Sequence, residues 1–200
     1  MPDTAMRAVA LTGLAGVGKT DALIRLADAG EQVLDLEALA AHRGSSFGRI
    51  GISDPQPTES EFHERIRQVL ASFDPDRRVW LEDEGPHIGN LWLPLDVRGA
   101  VATAQTMLVT APLEERIDRL AATYAGADPT ELIEATQRIR RRLGNSRTDR
   151  AISHFHAGHP RAAIEVLLEY FDEGYERRAA TDTRRRLPRK QIPSFFGVVS

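Results

Sequence analysis

Two hydrophobic rhythms alternate along this chain. Short, nearly continuous apolar runs with polar or glycine borders read as strands buried on both faces. Arg7-Ala8-Val9-Ala10-Leu11-Thr12 is the first, Gln32-Val33-Leu34-Asp35-Leu36 the second, and Arg78-Val79-Trp80-Leu81 the third. The fourth is Gln105-Thr106-Met107-Leu108-Val109-Thr110. Between these runs the apolar residues recur at helical spacing. Asp21 to Ala29 carries Leu23, Ile24 and Leu26 on one face and stops at Gly30. Glu59 to Phe73 carries Phe62, Ile66, Val69 and Leu70, and Leu113 to Tyr124 aligns Ile117 with Leu120. Leu113 to Tyr124 begins after Pro112, a good first-turn residue, and two more helices are expected over Pro129 to Leu143 and Pro160 to Tyr175. Strands alternating with helices predict an α/β fold, a parallel sheet with helices on both faces.

The sharpest local pattern falls between the first strand and the first helix. Gly13-Leu14-Ala15-Gly16-Val17-Gly18-Lys19-Thr20 is a phosphate-binding loop in its required strand–loop–helix setting. Gly13, Gly16, Val17, Gly18, Lys19 and Thr20 are its candidate ligand-holding residues. Backbone N–H groups and the start of the helix would face phosphate oxygens. Lys19 would add a point charge, and the Thr20 hydroxyl would hold Mg2+. The fold class sharpens to a P-loop NTPase-like sheet with an arginine-rich helical lid or C-terminal region. One P-loop domain is expected over residues 1–183, its helical part at about 129–176, with a basic then apolar tail over 184–200.

Other candidate chemistry lies near the ends of the strands. Glu82-Asp83-Glu84 closes the third strand, where P-loop proteins hold a magnesium shell or orient a nucleophile. Clustered acids also raise one another's pKa, which favours proton acceptance. We take Glu82 and Asp83 as catalytic candidates, Asp83 with Thr20 as metal ligands, and Asp35 as a further acid at the end of the second strand. Two long loops, His42 to Pro57 and Glu82 to Pro94, follow strands and are expected at the carboxyl edge of the sheet, where open α/β sheets bind ligands. In the first, His42, Arg43, Ser45 and Ser46 offer an imidazole, a guanidinium and two hydroxyls suited to an anion or a base.

Charge changes the picture at the other end. The chain of 200 residues has a formal net charge of −3, but residues 1–137 hold 12 basic and 22 acidic side chains against 14 and 7 in residues 138–200. Nearly all the basic residues are arginines, which suit phosphate or RNA backbone. Arg138, Arg140, Arg141, Arg142, Arg147 and Arg150 would form a lid over a transferring phosphate, with Arg142 catalytic and Arg138 and Arg141 on the substrate. His154, His156 and His159 have no carboxylate placed among them and read as surface or RNA contacts. Cysteine is absent, which excludes a cysteine nucleophile in this sequence. No run has the length of a membrane span and Met1 to Met6 has no signal pattern, so a cytoplasmic protein is expected.

These motifs, in order, carry a resemblance. Gly13 to Thr20, Val33 to Glu37 leading into His42-Arg43-Gly44-Ser45-Ser46-Phe47-Gly48, and Gln56-Pro57 before Phe62 are three of its segments. Trp80 to Glu84, Ile88-Gly89, Leu93-Pro94, Arg141-Arg142-Leu143-Gly144 and Leu167 to Tyr170 through Tyr175 continue it. Over roughly residues 7–176 the chain resembles the C-terminal P-loop region of tRNA 2-selenouridine synthases. The resemblance implies modification of a wobble uridine in tRNA, sulfur giving way to selenium through a geranylated intermediate made from geranyl diphosphate. It implies that the loop holds a diphosphate and that the basic third faces tRNA. In that family a rhodanese-like domain with a catalytic cysteine precedes the P-loop region, so a separate rhodanese-type protein is an expected partner.

Two other readings stay open. Thr106 to Arg116 is similar to the strand and helix before the lid of metabolite kinases, which would use ATP or GTP, with Asp35 or Glu82 to Glu84 as the base. A non-catalytic nucleotide-binding module would use the apolar segment Phe195 to Val199 as a docking arm.

Overall fold

In the computed structural model, residues 6–83 and 85–193 are described; Glu84 and the segment 195–199 lie outside them. The order begins with β1 (Ala8–Thr12), α1 (Lys19–Asp28), β2 (Gln32–Val33), α2 (Leu36–Ala40), α3 (Glu59–Ala71) and β3 (Val79–Glu82). A hairpin of β4 (His87–Ile88) and β5 (Leu91–Trp92) follows, then α4 (Leu95–Thr103), β6 (Gln105–Leu108) and α5 (Leu113–Thr123). The chain continues through α6 (Pro129–Arg138), α7 (Arg140–Leu143), α8 (Asn145–His156) and α9 (Pro160–Ala179). Four strands form a parallel sheet in the order β2-β3-β1-β6.

Successive side chains of a strand point to opposite faces, and here each set has its own core. Ala8, Ala10, Val79 and Leu81 pack with Leu36 of α2, Phe62 and Ile66 of α3, and Val97 and Val101 of α4. Val9, Leu11, Trp80 and Met107 pack on the other face with Ala22, Leu23 and Leu26 of α1. The indole N–H of Trp80 donates to Glu31 at 3.1 Å, which gives the one polar atom of that ring a partner. A separate cluster joins α6, α8 and α9 through Leu132, Ala135, Ala151, Phe155, Ala163 and Leu167, with Phe47 and Ile50 inserted from the long loop.

Several expected elements differ. The second strand ends at Val33, because Asp35 turns the chain: its carboxylate accepts from the Ala38 amide at 2.9 Å and caps α2. The His42 to Pro57 loop therefore follows a helix. Ile24 is 54% exposed and lies off the apolar face of α1. The helix expected over Pro129 to Leu143 breaks at Ile139 into α6 and α7. Helices α4 and α8 and the β4–β5 hairpin occupy stretches where no element was expected.

After α9 the chain returns to the sheet. The Thr106 amide donates to the Arg185 carbonyl at 3.0 Å and the Leu187 amide donates to the Thr106 carbonyl at 2.7 Å. Leu187 is buried in the α1-side core, with Ile192 packed against it. Among the described residues, no helix is long and apolar enough to cross a membrane.

Candidate functional site

The phosphate loop joins β1 to α1 at the carboxyl edge of the sheet. Gly18 sits at φ +89° as the residue before α1, a left-handed conformation that glycine adopts without a Cβ clash. The loop's outer side is braced from α5. Arg116 Nε donates to the Ala15 carbonyl at 2.8 Å and Arg119 Nη1 donates to the Gly16 carbonyl at 2.6 Å. Arg116 is 3% exposed and forms a two-pronged pair with Asp172 of α9 at 2.5 and 3.0 Å. Arg119 is also paired with Asp21 at 3.0 Å. Holding these carbonyls outward leaves the loop's amides for a ligand.

The larger cavity, about 1460 Å³, opens along this loop. Gly13, Gly16, Gly18, Lys19 and Thr20 line it; Val17 does not, its side chain being buried beneath. The Thr20 hydroxyl donates to Glu82 Oε1 at 2.8 Å. Glu82 is 4% exposed, so this hydroxyl–carboxylate pair is the built-in oxygen set beside Lys19. Asp83 lines the same cavity without bonding Thr20. Its carboxylate is paired with Arg184 at 2.5 Å, and Arg184 also pairs with Asp182 at 2.7 Å. The two carboxylates raise the pKa of Arg184, the Asp182 bond most, while Arg184 lowers that of Asp182. Thr20 and Asp83, expected together, thus have different partners, and Glu82 takes the place beside Thr20.

The second loop supplies another wall. His42, Arg43, Ser45 and Ser46 all line the cavity, as do Asp35, Glu37 and Arg142. Arg43 Nη1 donates to the Ile50 carbonyl at 2.8 Å, and Arg49 Nη1 donates to the Ala41 carbonyl at 2.8 Å. Arg138 Nη2 donates to the Ser46 carbonyl at 3.0 Å, which ties α6 to the loop. Burial, then the charge of Arg49, lowers the pKa of His42.

The expected lid arginines divide. Arg140 pairs with Asp149 at 2.8 Å, Arg147 with Glu173 at 2.5 Å and Glu169 at 3.3 Å, and Arg150 with Glu169 at 3.8 Å. Arg142 is exposed and reaches the cavity, whereas Arg138 and Arg141 do not line it. His154, His156 and His159 form no metal cluster with other ligand-type side chains among the described residues. Sequence reasoning missed Arg116, Arg119 and Arg184. The signal for the first two was faint: arginines three apart on the first turns of a helix whose other side is apolar. Arg184 gave none, since its partner Asp83 is 101 residues away in sequence.

A second cavity, about 310 Å³, abuts the first. Phe47, Leu132, Phe155, Ile164, Leu167 and Leu168 line it. It shares Ala15, Ser45, Leu120, Tyr124 and Phe171 with the larger one. A charged loop therefore adjoins an apolar chamber across a wall one residue thick.

Sheet order, loop and helices define a P-loop NTPase-like α/β domain of AAA type. A family profile described as "tRNA 2-selenouridine synthase AAA domain" matches residues 6–195, and the chain belongs to that family. It is similar to the tRNA 2-selenouridine synthase of Hydrogenovibrio crunogenus, 35% identical over 191 residues, covering 84% of this chain and 51% of that protein. The synthase of Marinobacter nauticus is 30% identical over 197 residues, covering 83% of this chain and 52% of that one. That of Nitrosomonas eutropha is 37% identical over 125 residues, covering 60% and 31%. At its widest matches the chain spans about half the length of these curated relatives.

Proposed function

We propose that this domain is the prenyl-diphosphate-handling part of a tRNA-modifying transferase. It would hold geranyl diphosphate for transfer to the sulfur of a thiolated wobble uridine. The observation that carries the reading is the pairing of the two cavities. The diphosphate would lie in the Gly13 to Thr20 loop. Its hydrocarbon would enter the chamber lined by Phe47, Leu132, Phe155 and Leu168. The adenine of ATP would find few polar partners there.

In the transfer, sulfur bonds to the first carbon of the prenyl chain, the carbon–oxygen bond breaks, diphosphate leaves with the electron pair, and the base releases its N3 proton to solvent. Lys19 and the loop amides would stabilise that leaving charge, the usual largest contribution of a preorganised site. Thr20 and Glu82 fit a magnesium ion, which supplies further charge neutralisation when bound. Arg142, exposed on the cavity rim, adds a cation. The arginine lid expected of a kinase is weakened as a reading, because Arg140, Arg147 and Arg150 are already paired with acids. Sulfur-to-selenium exchange through a cysteine would fall to a rhodanese-type domain outside these residues, which hold no cysteine.

Calorimetry in magnesium with geranyl diphosphate, pyrophosphate, ATP and GTP tests the reading. Geranyl diphosphate is expected to bind at least about tenfold more tightly than pyrophosphate, a modest share of about 0.8 kcal/mol per buried methylene. Equal affinity for the two, or tighter binding of either nucleotide, would overturn it.

A further inference from the structure

Among the described residues, three buried side-chain atoms have no hydrogen-bond partner: His42 Nδ1, Ser46 Oγ and Arg98 Nε. All three residues line the larger cavity. Buried polar atoms are nearly always satisfied, and those that are not mark a place where something else belongs. They gather on one cavity, two of them on the loop that follows α2 rather than on the phosphate loop.

The His42 ring is also fitted into the backbone. It is 7% exposed and lies between two glycines. A Cβ on Gly48 would come within 2.5 Å of the ring's Cε1 and Nδ1, and one on Gly89 within 2.7 Å of Cδ2. Gly48 has an ordinary backbone conformation, so what forbids a side chain there is contact, with the ring and with the Ser45 carbonyl at 2.9 Å.

The chemistry of this wall disfavours another phosphate. Three nearby cations are spent on the chain: Arg43, Arg49 and Arg138 donate to backbone carbonyls, while the Arg98 guanidinium lies over the Trp92 ring, 5.7 Å from its centroid. Asp35, Glu37 and Asp54 line the same cavity and repel an anion. On the long loop itself what remains is a neutral imidazole and a hydroxyl, each able to donate and accept, with the rings of Tyr124, Tyr170 and Tyr175 on the cavity wall.

We propose that the His42–Ser46 wall seats a neutral pyrimidine base, its ring edge bonded by these two side chains and its face against a tyrosine. This is the recognition mode used for unstacked bases of single-stranded RNA. The inference rests on the reading of the domain as a tRNA-modifying transferase, and adds which residues take the base: those of a second loop on the cavity that the diphosphate cradle also lines.

The test uses a labelled RNA hairpin with one unpaired 2-thiouridine and the same hairpin abasic at that position, with pyrophosphate binding measured in parallel. Wild type is expected to prefer the base-bearing hairpin about tenfold, two neutral hydrogen bonds contributing about 1 kcal/mol each less the cost of ordering the base. His42→Phe keeps the ring between the glycines and removes both nitrogens; Ser46→Ala removes the hydroxyl. Each should cut the preference to about threefold and the double variant should abolish it, with pyrophosphate affinity within about twofold of wild type. His42→Asn, which returns a polar atom near the Nδ1 position, should restore part of it. Thermal midpoints establish that each variant is folded.

Competition by free uridine shows the seat open to a single nucleoside; competition by the hairpin alone assigns it to a base held in RNA. Either supports the inference. A full preference surviving in the double variant overturns it, as does a wild type that neither prefers the base nor binds free uridine. Failure of wild type to bind pyrophosphate would instead remove the phosphate-loop reading, whatever the base preference.

Discussion

The sheet half and the helical half of this domain are built by different rules. In the sheet half, neighbouring residues of β1 and β3 enter opposite cores, so Ala8 to Leu11 and Val79 to Leu81 are each fixed by packing on one side or the other. The helical half closes on one cluster that includes the small residues Ala135, Ala151 and Ala163 and on a smaller one joining Ile164 and Leu168 to Ile117 of α5, and it retains an apolar space. Its rim is laced with arginine–carboxylate pairs. One half holds a backbone loop still; the other provides room. The contrast suits a ligand whose two ends differ as much as a diphosphate and a hydrocarbon.

Arg116 is the strongest tie between the halves, reaching from α5 to the loop at Ala15 and to Asp172 of α9. Breaking a buried pair leaves its partner uncompensated, so Arg116→Ala should destabilise the fold by about 3 kcal/mol. The exposed Arg161, paired with Glu114 and Asp118, should lose less than about 1 kcal/mol on the same change. Chemical denaturation of both variants checks the difference; equal losses would mean that Arg116 does not bridge the halves.

Two substitutions divide the ligand between the halves. Lys19→Ala should weaken geranyl diphosphate and pyrophosphate alike, by about 2 kcal/mol or roughly 30-fold, the scale of a charged hydrogen bond. Ala121→Leu, which fills part of the apolar chamber, should weaken geranyl diphosphate about tenfold and leave pyrophosphate unchanged. Calorimetry reads both, and a loss of pyrophosphate binding in Ala121→Leu would erase the division.

The smallest expected effect is on pH. The folded pKa of His42 is lowered, so the folded protein keeps the ring neutral where the unfolded chain protonates it. Stability from this source is present above the ordinary imidazole range and declines as pH falls through it. His42→Phe should therefore lose less stability than wild type between about pH 7.5 and about pH 5.5. Denaturation midpoints at the two values measure it, and parallel slopes would show that the ring titrates normally.

The two halves also differed in how far the sequence could be read. The strands of the sheet half stood out because residues buried on both faces leave unbroken apolar runs, and the phosphate loop because its glycine spacing has one mechanical purpose. Helix α8 was hidden: its buried side are Thr148, Ala151 and Phe155, too small and too polar to mark a period. With it went the apolar chamber, to which it contributes Phe155. Asp35 was taken for the end of a strand because a short polar side chain serves a strand end and a helix cap equally well. The exchange of Asp83 for Glu82 beside Thr20 was beyond reach, since alternation tells which residues share a face but not which partner arrives from the far end of the chain.

The return of the chain to β6 has a practical corollary. Arg185 and Leu187 occupy hydrogen-bonding groups of Thr106 that would otherwise face solvent at the sheet's margin. A chain cut after Thr183 would bare that margin together with the apolar ground under Leu187, and bare margins of this kind recruit strands from other molecules. The arginines that follow α9 thus guard solubility as well as carrying charge, and a shortened protein would be expected to self-associate before it lost its ligand.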